Sequence, residues 1–156
     1  MISFFLFSIC NAQIKSHPKN NALSLELGKS GLIYNLNFDH KFQDKGFGFR
    51  VGLGSNFSKY LQAFTTGAGG YYLIGHETNF LELGVDLNYL SIDEISDDQK
   101  GVPLIYPNYP IKTFYASANI GYRRSGRKSL FRIGASPGFI KNDFLPGGYL
   151  SFGLTF

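Results

Sequence analysis

Glu82 and Asp86 are the first residues in this sequence whose types and spacing could share chemistry. They lie four apart. On one strand face that spacing is about 13 Å, too wide for the paired carboxylates of a glycosidase. Nucleophilic catalysis would need a serine, a histidine and a carboxylate or amide within hydrogen-bond reach. The histidines are His17, His40 and His76. His17 falls in a polar lead-in and His76 in a turn. His40 lies on an apolar stripe with no serine at the neighbouring same-face positions, so an anchoring role suits it better than catalysis. Gly67-Ala68-Gly69-Gly70 falls within a strand, where cradling a phosphate is improbable. Asp93, Glu94, Asp97 and Asp98 form an acidic run that has the groups for a divalent cation but is more simply a solvated loop. Cys10 is alone and has no disulfide partner. The expectation is a chain with no catalytic, cofactor or metal site.

The remaining charges are better suited to pairing with one another. Glu26, Asp39, Lys41, Arg50, Glu82, Asp86, Arg123 and Arg132 are four acids and four bases, all placed inside segments that alternate with a period of two. Eight such segments are expected as strands, at 22–29, 32–42, 47–55, 62–74, 80–90, 113–123, 130–139 and 148–156. In the third, Phe47, Phe49, Val51 and Leu53 oppose Gly48, Arg50, Gly52 and Gly54. In the fifth, Leu81, Leu83, Val85, Leu87 and Tyr89 oppose Glu82, Gly84, Asp86 and Asn88. Every one of the eight charges falls opposite the bulky apolar stripe. The fourth segment is the least regular, because Thr65 to Gly70 is small on both faces. A bulge or a narrow side of a barrel would fit it.

The chain has 156 residues with 19 Gly, 16 Phe, 10 Tyr and no Trp, so one glycine-rich, aromatic domain is expected. Charged residues make up 17%, yet mean hydropathy is only −0.07. No window approaches the roughly 18 continuous apolar residues of a membrane-spanning helix, so a membrane protein of this sequence must be a barrel. The net charge of +4 is scattered, which argues against nucleic acid. A soluble sandwich or lipocalin-like barrel would show the same alternation with the apolar face turned inward. The stripe here is too bulky and aromatic for the interior of an eight-stranded barrel, and the opposite face is rich in glycine, as a narrow lumen requires. The expected fold is therefore all-β, an eight-stranded antiparallel up-and-down transmembrane barrel over 21–156. Both termini lie at one end, with mostly short turns there and longer loops at the other.

Residues 1–12 have the apolar run and small-x-small ending of a secretory signal peptide, though without a basic n-region. A lipoprotein acylated on Cys10 is the minor alternative, disfavoured by the bulk of Ile9. Residues 13–20 are expected as a periplasmic lead-in. The longest loop, 91–112, is acidic first and then rich in proline and tyrosine. Tyr106, Pro107, Tyr109 and Pro110 would make either a stiff contact surface or a cap over the barrel mouth.

The final segment, 148–156, alternates Leu150, Phe152, Leu154 and Phe156 with smaller or polar residues and stops on phenylalanine. It resembles the C-terminal recognition strand of Gram-negative outer-membrane barrels. That resemblance implies an assembly signal at Tyr149, Phe152, Leu154 and Phe156, read by the barrel-assembly machinery. Across 21–156, the paired runs Tyr71-Tyr72-Leu73-Ile74-Gly75 and Phe80-Leu81-Glu82-Leu83-Gly84 resemble the recurring hairpin of small outer-membrane barrels of the Bacteroidota type. The resemblance implies a multi-pass outer-membrane protein among lipids, without enzymatic activity. It also implies a structural or accessory role in a larger outer-membrane complex, with protein partners met through loop 91–112 and the outer wall. A lipid-modifying hydrolase using His40, a narrow channel and an adhesin are the alternatives.

Overall fold

A computed structural model describes residues 19–29, 34–42, 46–57, 61–94, 111–140 and 143–156. The expected signal segment, the lead-in up to residue 18, Asp97 and Asp98 of the acidic run, and the loop residues Tyr106, Pro107, Tyr109 and Pro110 lie outside the described residues. Within them are β1 (Asn21–Gly28), β2 (Tyr34–Lys41), β3 (Phe47–Ser55), β4 (Leu61–His76), β5 (Asn79–Glu94), β6 (Ile111–Ser125), β7 (Leu130–Ala135), β8 (Gly138–Ile140), β9 (Asp143–Leu145) and β10 (Gly148–Thr155).

These ten segments make eight staves. β7 and β8 form one stave and β9 and β10 form another, because each pair keeps a single register across its break. The breaks fall at Pro137 and Pro146, which occupy facing positions. Proline has no N–H to give the ladder. The groups around them still bond: Ser136 N–H donates to Gly147 O at 2.8 Å, and Ala118 N–H to Pro137 O at 2.9 Å. Residue 140 and residues 143–145, which the sequence presents as part of a loop, thus belong to paired strands.

All pairings are antiparallel, and β1 pairs with β10 to close the wall. Among the described residues the wall closes on itself, so neither β1 nor β10 is left as an open edge. A line of paired residues followed round the wall from Ala22 passes through Asp39, Arg50, Gly69, Asp86, Ser117 and Gly138 to Leu145. Ala22's own partner on that last stave is Thr155, ten residues further along. The shear is therefore ten, and eight strands with that stagger tilt by about 40°.

The faces are inverted relative to a soluble protein. Val85, Leu25 and Leu36 are 64%, 52% and 51% exposed, whereas Glu26, Asp39, Glu82 and Arg132 are fully buried. With the tilt applied, the outward stripe from Leu81 to Tyr89 spans roughly 20 Å along the barrel axis, close to the apolar band of a membrane barrel. Aromatic rings gather at both ends of that stripe. Phe47 and Tyr72 pack at 4.6 Å near the terminal end, and Tyr89 and Phe114 at 5.0 Å near the other. Aliphatic and small residues such as Val51, Ala68, Val85 and Ile133 fill the middle. This is the distribution of a wall held in a bilayer with its rings at the two interfaces.

β4 carries no bulge. It keeps one register with β5 from Leu61 to His76 and one with β3 from Phe64 to Tyr72. Its small residues instead make room inside. Gly67 and Gly69 face Asn88 and Asp86 on β5, and Gly52 and Gly54 on β3 face Asn37 and Asn35 on β2. A Cβ at any of these four positions would overlap the facing amide or carboxylate oxygen. The narrow lumen is filled by letting one partner of each pair have no side chain.

Candidate functional site

The staves aim seven of the eight expected charges into the lumen as buried groups: Glu26, Asp39, Arg50, Glu82, Asp86, Arg123 and Arg132. Glu82 on β5 is the hub. Its Oε1 accepts from Arg50 Nη2 at 2.8 Å and Arg132 Nη2 at 2.9 Å. Its Oε2 accepts from Arg123 Nη1 and Arg132 Nε, both at 3.2 Å. Asp39 on β2 takes Arg50 Nε at 3.0 Å and Arg123 Nη1 at 3.2 Å. Glu26 on β1 takes Arg132 Nη1 at 3.1 Å. Three arginines thus meet three carboxylates contributed by six different strands. The fork of the guanidinium lets each arginine bridge two acids, which a lysine could not do with the same geometry.

Two tyrosines line this cluster. The Tyr71 ring lies beneath Arg123 at 4.8 Å and Arg50 at 5.3 Å, and the Tyr149 ring beneath Arg132 at 4.8 Å. The negative faces of the rings favour the cations. Their hydroxyl ends also cover glycines: Tyr71 lies over Gly48, and Tyr149 lies over Gly121 and Gly134. Tyr149, expected as part of the C-terminal assembly signal, is buried in the lumen. Phe152, Leu154 and Phe156 of the same signal are exposed on the outer wall.

Two of the charges are not members of the cluster. Asp86 sits apart from the arginine hub, pairing with Lys29 and accepting from Asn119 Nδ2 at 2.7 Å. Lys29 was missed by the sequence pattern because it follows the last residue of β1, with φ of 65°, and so leaves the alternation that places the others. Lys41, expected in the network, is only half-buried. It lies at the terminal end of the lumen, its Nζ 5.4 Å from the centre of the Phe80 ring. Substituting Lys29 for Lys41 keeps the interior at four acids and four bases. β2 reaches the barrel mouth at Lys41, so correct facing there does not mean burial.

The lumen is layered rather than uniformly polar. Beyond the cluster, toward the end away from the termini, come Asn35, Asn37, Asn88, Ser117 and Asn119, all buried. Above them Ala63, Leu90, Ile92, Tyr115, Ile140 and Leu145 form a buried apolar group. Leu90 and Ile92 continue the face of Glu82 and Asp86, since β5 runs on to Glu94 instead of ending at residue 90. The signal was present as apolar residues on the lumen parity just past the expected strand end. Between the charges and this apolar layer the structure leaves a cavity of about 20 Å³, lined by Lys29, Asn37, Arg50, Asp86 and Asn88 among others. That is room for about one water.

No group of three or more metal-binding side chains occurs among the described residues. His40 Nδ1 lies 2.7 Å from Asn21 Oδ1, and its ring packs edge-on against Phe42 at 5.3 Å. Its described neighbours are thus an amide and aromatic rings. His76 ends β4 at the tight turn to β5.

No protein-family model matches the chain and no curated sequence matches it. Its fold is that of solved small outer-membrane barrels. The N-terminal β-barrel domain of Pseudomonas aeruginosa OprF superposes with a TM-score of 0.70 at 11% identity, covering 88% of this chain and 98% of that one. The Yersinia pestis outer membrane protein Ail, solved in a phospholipid bilayer nanodisc, superposes with a TM-score of 0.52 at 9% identity, covering 89% of this chain and all of the other. At such identities the likeness establishes the architecture.

Proposed function

We propose that this chain is an integral outer-membrane protein of the Bacteroidota-type barrel group and a non-enzymatic structural or accessory subunit of a larger outer-membrane complex. It works through its outside surface, not through its interior. The observation that carries this reading is the filled lumen. A neutral arginine–carboxylate cluster spans its width, and an apolar layer lies above it. Among the described residues, the space left beside the cluster is about 20 Å³, room for about one water.

The outer wall offers contact surface. Two depressions flank the Leu83, Val85 and Leu87 ridge of β5. One, of about 600 Å³, lies over Gly67 and Ala68. The other, of about 680 Å³, lies over Gly70, Gly84 and Ala118. Small residues let a neighbouring backbone approach closely in a membrane, where packing and not apolar transfer drives association. The outer-end segment 91–112 is the second contact region in this reading. A lipid-modifying hydrolase fits less well, because His40 is held by Asn21 and aromatic rings with no serine at its nitrogen.

Extraction in mild detergent followed by affinity purification of the full chain tests the assignment. A stoichiometric outer-membrane partner is expected, and a solitary monomer would overturn the accessory role. Recovery of the chain in the inner-membrane or soluble fraction would overturn the location.

A further inference from the structure

The barrel's terminal end holds a second cavity, separated from the sealed lumen by the arginine cluster. It has a volume of about 390 Å³. Five bases line it: Lys19, Lys41, Arg123, Arg127 and Lys128. One acid, Glu77, faces them. The contrast with the interior is the informative point. Inside, each described acid is matched by a base, whereas along this described lining the three lysines alone, Lys19, Lys41 and Lys128, outnumber the one acid. Two of the lysines are held in place by neutral groups. Lys19 Nζ donates to Thr155 O at 3.0 Å, and Lys41 Nζ rests on the Phe80 ring. These contacts fix the ammonium groups at the cavity without using up their charge. Arg123 forms the floor, buried, with its guanidinium already committed to Asp39 and Glu82.

We infer that this vestibule binds a compact anion of the phosphate class. An excess of bases arranged around a concave surface focuses potential and concentrates multivalent anions. A lone carboxylate would meet one side of the ring, while a tetrahedral phosphate presents oxygens to several sides at once. The cavity is larger than a phosphate alone and admits a small attached body such as glycerol. Two sources carry this chemistry: the headgroup of an anionic phospholipid on the terminal side of the bilayer, and a soluble phosphate ester. The site lies at the terminal mouth of the barrel as the described residues form it.

The test uses the full chain folded in a maltoside detergent, which brings no phosphate of its own. Glycerol phosphate is titrated in one arm and phosphatidylglycerol in the other, with amide shifts of Lys41, Ser125 and Thr155 as the readout. Saturable shifts are expected in at least one arm, and the arm that saturates identifies the source. Each of Lys41→Gln and Lys128→Gln weakens binding by about five-fold, the effect of losing one contact charge at the aqueous end of Coulomb's range. Arg124→Gln removes a charge from the adjoining end of β6, where the side chain is exposed, and changes affinity less than two-fold. Linear, unsaturable shifts in both arms overturn the inference. An Arg124→Gln loss equal to that of the vestibule lysines does so too, because it shows diffuse attraction to a basic end. Heat-modifiable migration on SDS gels confirms that every variant is folded before it is titrated.

Discussion

Replacing Glu82 with glutamine removes one charge and almost no volume from the centre of the lumen. The structure sets the size of the effect. Each oxygen of Glu82 accepts two arginine hydrogen bonds. The amide keeps one acceptor oxygen and turns an NH2 group toward the two donors on the other side. Two charge-assisted bonds are lost at about 1.5–3 kcal/mol each, or about 3–6 kcal/mol together. Three arginines then face only Glu26 and Asp39, leaving one buried positive charge unmatched. Breaking a buried ion pair from one side costs about 3–5 kcal/mol, in the same range. The chain has no tryptophan, so unfolding in guanidinium is followed by far-UV circular dichroism and by the heat-modifiable gel shift. Glu82→Gln is expected to lower stability by about 3 kcal/mol or more. Adding Arg123→Met to it should recover part of that loss, since Arg50 then keeps Asp39, Arg132 keeps Glu26, and the double variant again balances charge. A loss under about 1 kcal/mol, as for an exposed ion pair, would mean that water reaches the cluster and that the sealed lumen is wrong.

The other expectations follow from the same layering. In planar bilayers the intact protein should show no stable conductance, and a persistent open level would refute the closed interior. Gly69→Ala, whose Cβ would overlap the Asp86 carboxylate, should sharply reduce the folded band on gels. Gly70→Ala next to it points outward, with the nearest atom 3.8 Å away, and should leave the yield unchanged. On the outer wall, Val85→Arg near the midplane should cost about 2–4 kcal/mol in lipid, while Phe114→Arg at the aromatic end costs about 0–1. Equal costs at both positions, measured by folding into vesicles, would contradict the depth assigned to the bilayer.

Much of this architecture was legible in the one-dimensional pattern. Alternation in β3 and β5 fixed which side chains share a face, because successive residues on a strand point to opposite sides whatever surrounds them. That is why the alternation alone assigns Glu26, Arg50, Glu82 and Arg132 to one surface. Alternation alone did not say which surface faced inward. Residue size decided it: a row of Leu and Phe cannot fit inside eight strands, but glycine opposite asparagine can. The strand ends were less legible. β5 runs past Leu90 because Leu90 and Ile92 find an apolar layer built from β4, β6, β8 and β9, and no local signal announces partners so distant in the chain.

The sequence by itself determined the period, the facing of the charges and the balance of acids with bases. Only the tertiary structure decided who pairs with whom. Closing the wall with a shear of ten sets the relative height of every stave. That height brings Glu82 level with three arginines, leaves Asp86 to Lys29, and carries Lys41 out to the mouth. Register around a closed barrel is a collective property of all eight staves, so no single stretch of sequence contains it.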